Sequence, residues 1–214
     1  MSTKEVAEFF DGYSDRFNAI YGNKESVLNG VVNRLFRRSM RLRFEYTLRG
    51  CQPIEGRSVI DIGCGPGHYS IRLAKMGAQS TLGLDFAAGM VEIAKENAER
   101  AGVGNRCQFL LGDFLSYPSD GKFDYAVVMG FMDYIERPEA IIDKVLSITK
   151  EKAFFSFPAD GGILAWQRKR RYRNRCKLFL YTADDLKRLF ADRKCHKFEI
   201  QKISRDFFVT VSLA

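Results

Sequence analysis

Apolar and polar positions switch repeatedly between two periods along this chain. Five short β-branched or apolar runs stand out: Ser58–Ile62, Ser80–Leu84, Cys107–Leu111, Tyr125–Met129 and Ala153–Phe157. A strand sends successive side chains to opposite faces, so a continuous apolar run marks a strand covered on both sides. The intervening stretches have helical spacing. His68–Met76 is one; Met90, Val91, Ala94, Ala98 and Ala101 share one face of a second. Ile141, Ile142, Val145 and Leu146 form the stripe of a third, behind Pro138, a residue suited to the first helical turn. This alternation predicts an α/β fold: a doubly wound, mostly parallel sheet with helices on both faces.

The two ends follow other patterns. Residues 3–50 read as helical. Val6, Phe9 and Phe10 precede the turn signal Asp11-Gly12, and Phe17, Ile20 and Tyr21 follow at helical spacing. Leu28, Val31, Val32, Leu35 and Phe36 then line a longer amphipathic helix whose other face is rich in arginine. Gln52-Pro53-Ile54-Glu55-Gly56 breaks it. The expected organisation is an N-terminal helical cap over 1–50 and one globular unit over 51–214. Near the far end, Thr182-x-x-Asp185 opens a helix close to a capping box. Phe198–Ile203 and Phe207–Leu213, joined by Ser204-Arg205-Asp206, predict an antiparallel hairpin at the sheet edge, which brings the strands to seven.

Composition narrows the class. The chain has 214 residues, 46% of them hydrophobic and 28% charged, near globular averages. A core of that size needs no disulfide or metal to hold it. The five cysteines, at 51, 64, 107, 176 and 195, form no C-x-x-C pair and are odd in number. They suggest a reducing, cytoplasmic setting, and no metal site is expected. The first ten residues contain Lys4, Glu5 and Glu8 and do not resemble a signal peptide. The longest apolar run, Tyr125–Met132, is far short of the ~20 residues that span a bilayer.

Charge changes the picture more. The formal net charge is +8, but two segments carry it. Residues 34–49 hold six arginines and residues 168–177 hold seven bases, with Glu45 the one acid among them. The remainder carries 21 bases and 25 acids, a net of −4.

The candidate chemistry centres on Val59-Ile60-Asp61-Ile62-Gly63-Cys64-Gly65-Pro66-Gly67, which closes the first strand and opens the first helix of the alternating region. Glycines there permit positive φ and close approach of a ligand, and the helix start offers unsatisfied N–H groups. The next residue is His68, so the spacing is not the Gly-x-Gly-x-x-Gly of a dinucleotide site. Asp85 ends the second strand, 18 residues past Gly67, where a carboxylate can accept bonds from ribose hydroxyls. Asp113 ends the third strand, positioned to accept from an adenine amino group, with Phe114 beside the ring. All lie at carboxyl ends of parallel strands, where ligands bind in open α/β sheets.

As a set, Asp61-x-Gly63-x-Gly65-x-Gly67, Asp85 and Gly112-Asp113-Phe114 resemble the signature of class I S-adenosylmethionine-dependent methyltransferases. The resemblance covers residues 57–214 and implies a Rossmann-like seven-stranded sheet. It implies S-adenosylmethionine as cofactor and S-adenosylhomocysteine as product. Carried over by position, Gly63, Cys64, Gly65 and Gly67 would approach the methionine part, with Asp61 organising the loop. Asp85 and Phe86 would lie at the ribose, Asp113 and Phe114 at the adenine, and Met129 and Phe131 beside the reacting methyl. Phe9-Phe10-Asp11-Gly12-Tyr13-Ser14-Asp15-Arg16-Phe17 and Ile20-Tyr21-Gly22 resemble the leading helices of small-molecule methyltransferases, notably those acting on quinone precursors and magnesium protoporphyrin.

The acceptor is less legible. Alignment of donor and acceptor alone can supply ~7–11 kcal/mol, and a base is needed only where the acceptor must lose a proton. Candidates for that base are His68, Asp133, Tyr134, Tyr13 and Tyr21. No Asn/Asp-Pro-Pro-aromatic motif follows the fourth strand, and no cysteine lies near the fourth or fifth, which demotes base N-methylation and C5 methylation of pyrimidines. O-transfer is slightly preferred. Trp166, Arg170, Arg171 and Arg173 follow the fifth strand on the expected substrate side. They suit a small anionic or amphiphilic acceptor held by arginine forks, or peripheral contact with an anionic membrane surface. The rival readings are a tRNA or rRNA methyltransferase, whose bases would neutralise phosphates, and a noncatalytic cofactor-binding module.

Overall fold

The computed structural model describes residues 30–118, 121–172, 177–191, 193 and 197–213. In chain order the elements are α1 (Gly30–Gly50), β1 (Ser58–Ile62), α2 (His68–Lys75), β2 (Ser80–Asp85), α3 (Ala88–Arg100) and β3 (Cys107–Leu111). There follow β4 (Phe123–Val128), α4 (Pro138–Ser147), β5 (Thr149–Pro158), α5 (Gly162–Tyr172), α6 (Ala183–Ala191), β6 (Lys197–Ile203) and β7 (Asp206–Ser212). The strands form one seven-stranded sheet in the order β3-β2-β1-β4-β5-β7-β6. Strands β1 to β5 are parallel, and β7 runs antiparallel between β5 and β6. The doubly wound sheet with a C-terminal hairpin is therefore the observed fold. Strands β1 and β3 have the bounds the apolar runs predict.

Because strand side chains alternate, the continuous apolar runs feed buried clusters on both faces of the sheet. Ile60, Ile62, Val128, Phe155 and Phe157 face one side, with Ile142 of α4 and Phe190 of α6. Val59, Tyr125, Val127 and Phe154 face the other, with Leu73 of α2 and Phe208 of β7. Leu42, Tyr46 and Leu48 of α1 join this second core, and the Tyr46 ring meets Phe208 edge-on at 5.7 Å. Residues 30–50, assigned from the sequence to a cap, thus contribute a covering layer of the sheet. The expected helices before residue 30, and with them Tyr13 and Tyr21, lie outside the described residues.

This topology puts one edge of the sheet to use. The carboxyl ends of β1 to β5 open on the same side as the start of β7, because Pro158 pairs with Asp206. The opposite edge is tied by Asp124, whose Oδ2 accepts both the N–H and the hydroxyl of Ser58 at 2.8 Å. Asp124 is thus a structural acid at the edge opposite the strand carboxyl ends.

Phe155 is fully buried between Phe157 and Phe190, with ring centroids 6.1 and 5.6 Å away. Replacing it with alanine should cost about 3–5 kcal/mol by lost transfer energy and the cavity left behind. Urea unfolding of the two chains measures this. A cost below about 1 kcal/mol would mean that this core is not packed as described.

Candidate functional site

The glycine loop after β1 is held by its neighbours before any ligand is considered. The N–H groups of Gly63 and Cys64 both donate to the carbonyl of Leu84, at 2.8 and 3.1 Å. Gly63, Gly65 and Gly67 all have positive φ, at +68°, +51° and +80°. Their surroundings differ. A Cβ on Gly63 would lie 2.7 Å from the Phe131 ring, and one on Gly67 would lie 2.9 Å from Phe109. A Cβ on Gly65 would meet nothing within 4 Å. Two glycines therefore serve internal packing, while the third leaves backbone open to an approaching ligand.

The acids around the loop have separate tasks. Asp85 accepts the Gly65 N–H at 2.8 Å through Oδ2 and the Ala87 N–H at 3.0 Å through Oδ1. These bonds use part of the roughly four acceptor sites of a carboxylate. Asp85 thus fixes the open glycine and the turn into α3 together. Asp61 is buried beneath the loop and accepts the Ser70 N–H and hydroxyl at 3.3 and 2.9 Å. Burial pushes its carboxyl up to about 7, against the Ser70 hydrogen bonds that favour the anion; the neighbouring Asp85 charge adds to the rise. Cys64 is buried with its sulfur against the Gly83 position, so it offers the site backbone and not thiol.

Asp113 is exposed at the end of β3, where its Oδ2 caps a short turn by accepting the Ser116 N–H and hydroxyl, both at 3.1 Å. The Phe114 ring is buried in the core with Lys144 Nζ 5.3 Å above it. Leu111 and Leu115 are the exposed apolar side chains flanking Asp113, and the sequence reading had not singled them out. Met129, Gly130 and Phe131 follow β4. The Phe131 ring backs Gly63 and lies 6.5 Å from Phe86. His68 opens α2 directly after the loop, and burial lowers its pKa, favouring the neutral imidazole.

A buried polar cluster adjoins this edge, and no local pattern in the sequence marks it. Asp206, at the first position of β7, accepts from the Ser39 hydroxyl and from Arg168 Nη1 at 3.0 Å, with Arg43 Nε at 3.9 Å. Burial alone would raise the Asp206 carboxyl, but Arg43 and Arg168 outweigh it and hold the pKa below the ordinary value. Arg168 also lies 3.8 Å from Asp133. Burial raises the Asp133 carboxyl, and the Arg168 charge opposes it. Arg43 Nη1 donates to Ser156 Oγ at 3.1 Å, and the same oxygen accepts the Gly130 N–H at 2.8 Å. Ser39, Arg43 and Thr47 recur every fourth residue on α1, so a polar stripe faces inward; hydrophobic periodicity cannot register such a face. Ser156 hides likewise within an apolar run.

The basic segments divide accordingly. Arg43 and Arg168 are interior, whereas Trp166 is exposed, with the Arg170 guanidinium 5.5 Å over its ring. Tyr134 sits in the short turn Met132–Tyr134 after β4. Arg171 lies on α5 with no described side chain, and Arg173 lies outside the described residues.

Comparison with known proteins bears on this geometry. A family described as a methyltransferase domain matches residues 54–177, which span the glycine loop, all three strand-end acids and Arg168. The chain belongs to the methyltransferase-domain family. Curated proteins similar to the chain are named for different acceptors. A ubiquinone biosynthesis O-methyltransferase from Albidiferax ferrireducens is 28% identical over 117 residues, 54% of this chain and 46% of that protein. A ribosomal protein L11 methyltransferase from Haemophilus influenzae (strain PittEE) is 40% identical over 74 residues, 35% of this chain and 24% of that protein. The chain thus spans a quarter to a half of the length of these curated relatives. Among solved structures, the magnesium protoporphyrin IX methyltransferase of Synechocystis PCC 6803 with bound S-adenosylhomocysteine superposes with a TM-score of 0.81. It covers all of both chains at 20% identity, a likeness of fold.

Asp61 makes a testable link between loop and stability. Its folded pKa, about 7, lies above the ordinary 3.8, so the folded state holds the proton more tightly than the unfolded one. Its contribution is therefore fully present below pH ~4 and is lost as pH rises through ~7. Thermal unfolding of Asp61→Asn alongside wild type should show the wild-type Tm falling relative to the variant across this range. Parallel pH profiles would remove the assignment.

Proposed function

We propose that this protein is an S-adenosylmethionine-dependent methyltransferase acting on a small anionic or amphiphilic acceptor, with transfer to oxygen preferred. The observation that carries the reading is the Asp85–Gly65 bond. One carboxylate at the end of β2 fixes the one loop glycine whose surroundings are open, so ribose-binding acid and open backbone belong to one rigid corner. The residues present suit the cofactor. The open backbone at Gly65, in a loop shaped by Gly63 and Gly67, would meet the methionine end, Asp85 would receive ribose hydroxyls, and Asp113 with exposed Leu111 and Leu115 would lie at the adenine end. When bound, the cofactor supplies an electrophilic methyl on a sulfonium centre.

The chain's own contribution is placement. Phe131, packed on Gly63 and near Phe86, forms an apolar wall that limits water at the end of β4. The Gly130 turn is held by Ser156, so this wall has a fixed position relative to β5. Pre-set geometry of this kind is the main catalytic lever for a transfer that needs no covalent help from the protein. His68, favoured neutral by burial, is the base available beside the loop if the acceptor must lose a proton. The short match to the ribosomal-protein methyltransferase covers too little of that protein to carry its acceptor across.

Calorimetric titration with S-adenosylhomocysteine tests the cofactor. Saturable binding is expected, and Asp85→Asn should weaken it about 10–100-fold, since hydrogen bonds to a charged group contribute roughly 1.5–3 kcal/mol. Wild type that fails to bind at near-millimolar ligand would defeat the reading. Incubation of labelled S-adenosylmethionine with cell extract tests the acceptor: label in small molecules is expected. Label confined to RNA would replace the acceptor class, and binding without any turnover would leave a noncatalytic module.

A further inference from the structure

Beside the buried cluster, at the carboxyl edge of the sheet, lies a cavity of about 340 Å³. Its lining includes Gly161, Gly162 and Arg168 from the segment after β5, and Lys202, Ser204 and Arg205 from the β6–β7 hairpin. Among the described residues, none that line it is acidic. Arg168, Lys202 and Arg205 bring three positive charges to one concave surface, where low-dielectric walls strengthen the field.

The neighbouring charges do not cancel this. Asp206 and Asp133 lie on the inner side of Arg168, and Asp206 is shared with Arg43. Four cations thus stand against two carboxylates, an excess of two positive charges. Asp160, next to the cavity in sequence, is engaged by Lys169 at 3.0 Å and by the Gly161 N–H at 2.8 Å. The walls also admit a ligand closely. Gly161 and Gly162 have φ of +92° and +74°, and a Cβ on either would meet nothing within 4 Å. Lys202 is exposed, with its ammonium 5.8 Å over the Phe207 ring.

Position relates the cavity to the reaction. The hairpin turn adjoins the start of β7, which pairs with β5, which in turn pairs with β4. Neighbouring strands lie about 4.8 Å apart, so β7 lies roughly 10 Å across the sheet from β4. Asp206 pairs with Pro158, three residues beyond the Phe155 that pairs with Val128, so the start of β7 also stands forward of the end of β4. Met129, Gly130 and Phe131 occupy that end.

We propose that this cavity is the oxyanion subsite of the methyl acceptor. It takes a carboxylate or phosphate group of the acceptor, on the β7 side of the Gly130 turn. The proposal rests on the methyltransferase reading, and it adds what the acceptor must carry and where. Arginine forks and a lysine point charge are the side chains that suit such groups, and the two open glycines leave backbone for an oxygen to approach.

The test uses the full chain with S-adenosylhomocysteine added. Backbone amides are followed by NMR during separate titrations with inorganic phosphate and acetate. Saturable shifts at Gly161, Gly162, Ser204 and Arg205 in the low-millimolar range are expected, and Lys202→Glu should abolish them. Lys202→Gln should weaken them several-fold. Tighter phosphate binding would assign a phosphate-bearing acceptor, and tighter acetate binding a carboxylate. No saturable shift with either ion, or shifts that survive Lys202→Glu unchanged, would overturn the subsite. Calorimetry on the same samples separates the two levels. S-adenosylhomocysteine binding without ion binding defeats the subsite alone, whereas failure to bind it defeats the methyltransferase reading and the subsite's role with it. Turnover in extract gives an independent check: labelled small-molecule product should be retained by an anion exchanger, and product that passes unretained would overturn the proposal.

Discussion

The Asp206 carboxylate is the constraint on which the β4–β7 half of this molecule turns. It is buried at the start of β7 and gathers Ser39 and Arg43 from α1 and Arg168 from α5. Arg168 lies more than a hundred residues from Ser39 and Arg43 in the chain. A buried charge is costly to leave alone, so each partner is held to one place by the others. Such a cluster is weak evidence for stability, since well-packed apolar groups would often do as well. Its consequence is registry: α1 and α5 can cover the sheet in one arrangement. Through Arg43 and Ser156 the same cluster reaches the Gly130 turn, which presents Phe131 to the glycine loop.

The cofactor half obeys a different logic. There the backbone is fixed chiefly by strand-end hydrogen bonds. Leu84 holds Gly63 and Cys64, and Asp85 holds Gly65 and Ala87. The loop needs no ligand to adopt its shape, so binding does not have to supply the entropy of ordering it. The buried Asp61 beneath it is the strained element. Its carboxyl sits among few compensating groups, and its pKa records that burial. A titrating group under a rigid loop couples the protonation state of the core to the part of the site that meets the ligand.

Much of this is legible in the sequence. The parallel strands announced themselves because strands buried on both faces read as unbroken apolar runs, and β1 and β3 fall where those runs fall. The glycine loop and Asp85 were legible because positive φ and strand-end acids are local requirements with local residue signatures. The interior of α1 was not. Its arginines read as one basic face, yet Arg43 turns inward with Ser39 and Thr47 because a partner 163 residues away, Asp206, makes that burial tolerable. Arg168 was hidden in the same way within a run of bases. A pattern of apolar spacing reports only the cheap kind of burial; paired burial depends on long-range contacts that no local window contains. Leu111 and Leu115 escape for the opposite reason, since exposed leucines beside a turn look ordinary until the fold sets them on either side of Asp113 at the carboxyl edge of the sheet.

The division between the halves follows from the order of the strands. The sheet reverses direction of growth between β1 and β4, and open α/β sheets bind ligands at that switch point. On one side, β1 to β3 carry the glycine loop, Asp85 and Asp113. On the other, β4, β5 and β7 carry the Gly130 turn, Ser156 and Asp206. A molecule bridging the switch point must therefore be recognised by two surfaces of unlike charge, acidic strand ends on one side and an arginine-rich concavity on the other. The acidic side suits hydroxyl and amino donors. The basic side suits oxyanions, and its inner arginines are already committed to Asp206 and Asp133. This commitment makes the positive field a fixed property of the fold and not of mobile surface side chains. The net charge of +8 is thus a poor guide to partners, because part of it is structural and the part that faces a ligand is set by which arginines the buried carboxylates hold in place.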